Sequence, residues 1–287
     1  MTLSKDAFGI LCVIAINVAS ATAVFASEEG QQRVIEESLV YKDPTVSSSG
    51  NWVFGIAAEE FYVNGQAIVP SSSGDGSLET GTVSASKPGI NFFAGYGDVT
   101  LNYVYRSGNE NLNLFHNSSA LEPLSGSHTV ALSQKENEID VRWRLSSLDT
   151  DWFSPYVYAG YIDVKSDNTD TLQGFGQVWT ATGTPTRTST NEWKGYMAGA
   201  GAIIPVSENY GFRIDAGLIG TSATYILSNG TPVIGSGIGG RATGTIYYNI
   251  AQGWNAQAGW RLQYLNGGNA GSTSPSGVFA MLGYSFK

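Results

Sequence analysis

Four charged residues alternate through "ENEIDVRWRLSS": Glu138, Asp140, Arg142 and Arg144, separated by Ile139, Val141, Trp143 and Leu145. On an extended chain such residues share one face, where acids and guanidiniums pair with each other or with charges on neighbouring strands. The pattern returns in "YGFRIDAGLIG", which sets Arg213 and Asp215 against Phe212, Ile214, Ala216 and Leu218. It also puts Arg241 and Arg261 on the polar sides of "GRATGTIYYNI" and "WNAQAGWRLQYL". These eight residues form a candidate charge network. It could be a set of ion pairs that stiffens and closes an interior, or a path on which small solutes pass arginines facing acids.

Other chemistry is thin. The histidines His116 and His128 lie in "NLFHNSS" and "SGSHTV", beside Ser118, Ser119, Ser125 and Ser127. A general base needs an oriented partner on a rigid frame. The sequence closes no aspartate–histidine pair at a strand end, so no catalytic residue is assigned and the chain is expected not to be an enzyme. A surface protease or lipid-modifying enzyme is the remote alternative. "DVKSDNTD" offers Asp163, Asp167 and Asp170 but lacks the glycine and closing glutamate of a calcium loop. It reads as a solvated extracellular loop. "GIGGRATG" has no following helix to cradle phosphate. No metal or cofactor is expected.

The elements that position these charges are strands. In 254–265, helical stepping through Trp254, Gln257, Ala258, Arg261 and Leu262 leaves no uniform face, whereas a period of two separates apolar from polar completely. About ten segments share this alternation, "DVTLNYVYRS" and "SGVFAMLGYSFK" among them. A soluble sandwich would turn the apolar side to a core, and a barrel in a membrane would turn it to lipid. The connections favour the barrel, because they run long, short, long, short. The long ones are about 64–86, 108–133, 165–189, 223–237 and 266–275, and the short ones "GYGD", "SSLDTD", "PVSEN" and "IAQGWN". Strands of about ten residues, tilted near 40°, span about 25 Å, the height of an outer-membrane apolar band.

Aromatic residues gather near strand ends. Trp52, Phe54, Trp143, Trp152, Phe153, Phe212, Tyr248, Trp254, Tyr284 and Phe286 lie near the short turns; Trp193, Trp260 and Tyr264 lie towards the long loops. Trp52, Trp143, Trp152, Trp254, Trp260, Tyr264, Tyr284 and Phe286 are assigned to an aromatic girdle. The expected fold is therefore all-β: a transmembrane antiparallel up-and-down barrel of about ten strands (eight to twelve), with short periplasmic turns and long extracellular loops.

Residues 1–26 read as a signal peptide: Lys5, then an apolar run from Phe8, then "ATAVFA". Residues 27–50 read as a periplasmic segment or a plug, and 51–287 as the barrel. The lone cysteine, Cys12, lies inside the leader. The net charge is −9, which argues against nucleic acid as a partner.

The leader and the closing "LGYSFK" resemble those of bacterial outer-membrane β-barrel proteins, whose last strand carries alternating aromatic or apolar residues. In that class the final residue is commonly Phe; here Phe286 is followed by Lys287. The resemblance implies the outer membrane as location, membrane lipid and lipopolysaccharide as surroundings, and the barrel-assembly machinery as a partner of the C-terminal strand.

The alternation assigns to the interior Glu59, Asp98, Arg106, Asp163, Lys165, Glu192 and Lys194 beside the eight network residues. Eight basic and seven acidic groups leave +1 inside and −10 elsewhere, against −9 in total. The function implied is a narrow porin-like channel or a structural barrel with a salt-bridged lumen. The alternative is a surface adhesin or ligand-binding barrel acting through its loops, with Phe175 and Trp179 as contact candidates.

Overall fold

A computed structural model of the chain describes residues 52–70, 78–116, 126–171, 186–207, 209–226, 230–251 and 254–286. The leader, the 27–50 segment, Phe175 and Trp179 lie outside the described residues. Ten strands follow one another: β1 (Val53–Pro70), β2 (Leu78–Tyr96), β3 (Val99–His116), β4 (Gly126–Arg144), β5 (Ser154–Thr171), β6 (Thr186–Pro205), β7 (Tyr210–Ile226), β8 (Pro232–Ala251), β9 (Trp254–Asn266) and β10 (Ser272–Phe286). Each pairs antiparallel with its sequence neighbours. β1 pairs with β10 from Phe54↔Phe286 to Ile68↔Ser272, so the sheet closes as a barrel with no free edge.

The outer surface falls into two zones. From the periplasmic end, the outward residues are bulky and apolar: Trp52, Phe54 and Ile56 on β1, Trp143, Val141 and Ile139 on β4, Trp254 and then Trp260, Leu262 and Tyr264 on β9. Girdle residues Trp52, Trp143, Trp152, Trp254, Trp260 and Tyr264 are all exposed, and Trp254 meets Tyr284 edge to face at 5.2 Å. Trp52 stacks on Phe54 at 5.6 Å. On β1 and β9 this band covers about ten residues, about 25 Å of height at a typical tilt. Above it the outward residues turn polar: Asn64, Gln66, Thr82, Ser84, Ser133, Lys165, Lys194 and Ser222.

The interior reverses in step. Level with the apolar band it holds the buried charges, packed among Phe93, Tyr156, Tyr158, Met197, Ile203 and Phe279. Above it, Val63, Val69, Val83, Val164, Trp193, Ala223 and Leu265 pack inside, each at most 7 % exposed. The lower barrel thus encloses the charged layer within a greasy outer face, and the upper barrel is mostly polar outside and mostly apolar within, with Lys87, Gln134 and Asn191 buried there too. The turn between β9 and β10 folds over the apolar part: Ala270 is fully buried, and a side chain at Gly267 would meet Ala223 and Trp193 within 2.5 and 2.9 Å. Gly268 and Gly271 give that turn its left-handed residues, φ 57° and 94°.

Several expectations need correction. Strands run well past ten residues, up to 20 in β6 and β8, so connections that looked long shrink to 71–77, 117–125, 172–185, 227–231 and 267–271. The ladder continues beyond the apolar band, where Val63, Val83, Val164, Trp193 and Leu265 pack inside it. His116 ends β3 and His128 lies in β4 opposite Leu114, so neither is a loop residue. Asp163, Asp167 and Asp170 sit on β5, not in a loop. Asp163, Lys165, Glu192 and Lys194 do not face the interior: their strands point Ile162, Val164 and Trp193 inward instead. Trp193 is accordingly a core residue and no part of an outer ring.

Candidate functional site

Midway up the lumen, five arginines (Arg106, Arg142, Arg213, Arg241, Arg261) meet five carboxylates (Glu59, Glu136, Glu138, Asp140, Asp215), a balanced layer. Strand parity puts them there. β4 contributes Glu136, Glu138, Asp140 and Arg142 in sequence down its inner face, and β3, β7, β8 and β9 add arginines at matching height.

Glu138 is the hub. Its carboxylate accepts from Arg241 on β8, from Arg261 on β9 at 3.3 Å, and lies 3.6 Å from Arg106 on β3. These contacts join β4 to strands on the far side of the barrel. Arg106 donates to Glu59 through Nε at 3.0 Å and through Nη1 to Glu136 at 2.6 Å. Arg261 also approaches Glu136 at 3.6 Å. Phe61 lies under this group, with the Arg106 and Arg261 guanidiniums each 5.5 Å from its ring centroid. Arginine suits the setting because its planar fork engages two acids at once and stacks on rings.

A second group lies nearer the short-turn end of the barrel. Arg142 donates to Asp140 at 2.7 Å, Asn102 donates to the same carboxylate at 3.2 Å, and the Tyr156 hydroxyl donates to Asp215 at 3.2 Å. Arg213 donates to Thr245 and Gln257, both at 3.4 Å. Tyr156 and Tyr158 fill space left by glycines on β6 and β7, and Arg241 stacks 5.4 Å from the Tyr158 ring.

Arg144 belongs to neither group. It donates to Asp149 and, at 3.0 Å, to Ser154, while Ser146 donates to Asp98 at 2.8 Å. These bonds tie the β4–β5 turn. Arg144→Ala is expected to lower unfolding stability by about 1–3 kcal/mol, the cost of stranding charge-assisted bonds, without changing ion conduction. Urea titration in detergent micelles checks the first, and bilayer recording the second.

Sequence reasoning passed over Glu136 and Lys87. Both are the first residues of segments read as strands, "ENEIDVRWRLSS" and "KPGINFFAGYG", and lie on their inward parity. Lys87 donates to Gln134, which donates on to Ser166 at 3.0 Å. Glu59 and Arg106, read as lumenal but left out of the network, are in its first ring of contacts.

Among the described residues, a cavity of about 30 Å3 lies within this layer, bordered by Glu59, Arg106, Glu138, Arg241 and Arg261 among others, with room for about two waters. Among the described residues, no group of three or more His, Cys, Asp or Glu is placed to hold a metal.

No family model matches the chain, and no curated protein matches it. Solved structures do. The outer membrane protease OmpT of Escherichia coli superposes with TM-score 0.50 at 12 % identity, over 84 % of this chain and 99 % of that one. The translocator domain of the autotransporter NalP from Neisseria meningitidis gives 0.46 at 11 % identity, over 95 % and 98 %. OprG from Pseudomonas aeruginosa gives 0.39 at 14 %, over 83 % and 98 %. At such identities the likeness concerns fold alone, and neighbours that include a protease leave the chemistry undecided. The chain has the fold of bacterial outer-membrane β-barrel proteins, a closed antiparallel barrel of ten strands.

Proposed function

We propose that this is an outer-membrane barrel closed at rest, a structural barrel whose salt-bridged lumen does not pass solutes. The observation that carries the reading is the set of links from Glu138 to Arg106, Arg241 and Arg261, which span the lumen beside a cavity of about 30 Å3. Ten strands enclose little more than their own side chains, whereas about sixteen are needed for an aqueous channel. The apolar upper core and the folded-in β9–β10 turn support the same reading, since ions meet a second, dry barrier there. The rigid cylinder then holds the connections at its extracellular end above the membrane.

Planar-bilayer recording of the refolded mature chain tests this. Silence across the voltage range is the expected result. Steady single-channel openings in the unaltered protein would overturn it in favour of a narrow porin-like path.

A further inference from the structure

On the outer face of β1 one residue breaks the rule that its neighbours keep. The outward row there runs Trp52, Phe54, Ile56, Ala58, Glu60, Tyr62, and turns polar only at Asn64. Tyr62, Tyr196 and Tyr264 stand exposed at the upper edge of the apolar band. Glu60 lies one outward step below Tyr62, about 5 Å deeper at a typical strand tilt. Among the described residues it is the one charged side chain that faces outward from a strand within the band. Ionisable groups at membrane depth normally turn to the protein interior and pair there. Glu60 turns the other way.

Its surroundings are small and apolar. Pro88 on β2 and Ala280 on β10 stand opposite it in register, and Ala58 precedes it on the same face. Tyr62, Ile90, Val278 and Leu282 rise around these as exposed ridges, and Glu60 sits half-buried in the recess between them. The Ser86 hydroxyl donates to its carboxylate. Among the described residues, no lysine or arginine lies within ion-pair distance of it; the arginines of the lumen are behind the sheet. A carboxylate takes about four donors, and acyl chains supply none. The missing donors must come from the membrane side. A primary ammonium brings three N–H groups and a balancing charge, whereas a quaternary ammonium brings no N–H at all. A headgroup level with the Tyr62 ring reaches Glu60 with a two-carbon arm, and the recess below is smooth enough for an alkyl chain.

We propose that Glu60 binds the primary ammonium of a lipid headgroup of the ethanolamine kind, the acyl chain lying over Ala58 and beside Leu282. The proposal rests on the membrane reading of the outer face and is independent of whether the lumen conducts. The full chain is refolded into vesicles of equal parts phosphatidylethanolamine and phosphatidylcholine with matched acyl chains, extracted into mild detergent, and weighed by native mass spectrometry. Wild type is expected to retain the ethanolamine lipid about tenfold over the choline lipid, the weight of one charge-assisted hydrogen bond. Glu60→Gln keeps the shape and removes the charge, so it should abolish the preference. Glu192→Gln, a carboxylate above the band, should leave it unchanged. Heat-modifiable migration confirms that each variant is a folded barrel. Equal retention of both lipids by wild type overturns the proposal and leaves the carboxylate to a basic side chain of another membrane-embedded chain. A preference that survives Glu60→Gln also overturns it, since the ammonium would then be held elsewhere. So does a preference that millimolar free ethanolamine removes, which would mean that any soluble amine is taken.

Discussion

Glu138→Leu opens the lumen and costs about 3–5 kcal/mol of unfolding free energy, the range found when one partner of a buried ion pair is removed. Three guanidiniums converge on this carboxylate from Arg106, Arg241 and Arg261. Without it they face one another in a poorly solvated space, with Glu136 and Glu59 left to balance them. Repulsion should splay the arginines, admit water and produce anion-preferring conductance in a bilayer where the unaltered barrel is silent. Adding Arg241→Leu removes one of the stranded cations, so the double variant should be less damaged than the sum of the singles. Strict additivity, measured by urea titration in micelles, would show that Glu138 does not act through the arginines. Glu138→Asp separates charge from reach: it keeps the balance but shortens the arm towards β8 and β9. It should stay closed while losing part of the stability.

Gly217→Val is expected to impair folding through packing instead of charge. A side chain there would meet the Tyr158 hydroxyl at 2.5 Å and the Ala198 carbonyl at 2.5 Å. Gly199 is hemmed in the same way, with the Ala216 carbonyl at 2.3 Å and the same tyrosine at 2.6 Å. Tyr158 therefore lies across two glycines on adjacent strands, and its ring carries the stack with Arg241. Overpacking a well-filled interior costs about 1–3 kcal/mol, and here the upper end applies because backbone atoms cannot swing aside. Refolding yield, read from heat-modifiable migration, should fall severalfold. Tyr158→Ala in the Gly217→Val background should restore only part of it, since the Ala198 carbonyl still obstructs. Full recovery would show that the ring alone enforces glycine, and an unaffected Gly217→Val barrel would refute the packing argument.

Strand number, the order of short turns and the parity of β3, β4, β7, β8 and β9 were legible because those strands stay within the apolar band for most of their readable length. There one rule holds, apolar out and polar in, and "ENEIDVRWRLSS" obeys it cleanly. The errors cluster where that rule reverses. β5 and β6 carry Asp163, Lys165, Glu192 and Lys194 above the band, where polar residues face water and Val164 and Trp193 fill the centre. A reader assuming one rule throughout assigns those four charges to the lumen. The same reversal hid the upper strand segments: Ser, Thr and Asn on an outer face look like loop composition, although Val63, Val83 and Leu265 alternate with them. Lys87 and Glu136 were missed for a related reason, lying at the edge of recognisable strand. That charges would meet was readable from parity; which acid meets which arginine depends on strand register around the barrel, which no local pattern encodes.

The exchange of greasy and polar faces partway up the wall makes this molecule two thermometers in one. Its upper storey coheres because water rejects the side chains within, and that force weakens on cooling. The lower storey adds a layer of ion pairs to its share of the apolar cluster, so it depends less on that force. Near freezing, amide exchange at the crown should therefore quicken relative to the girdled stem, leaving the barrel loosened at its rim yet firm below.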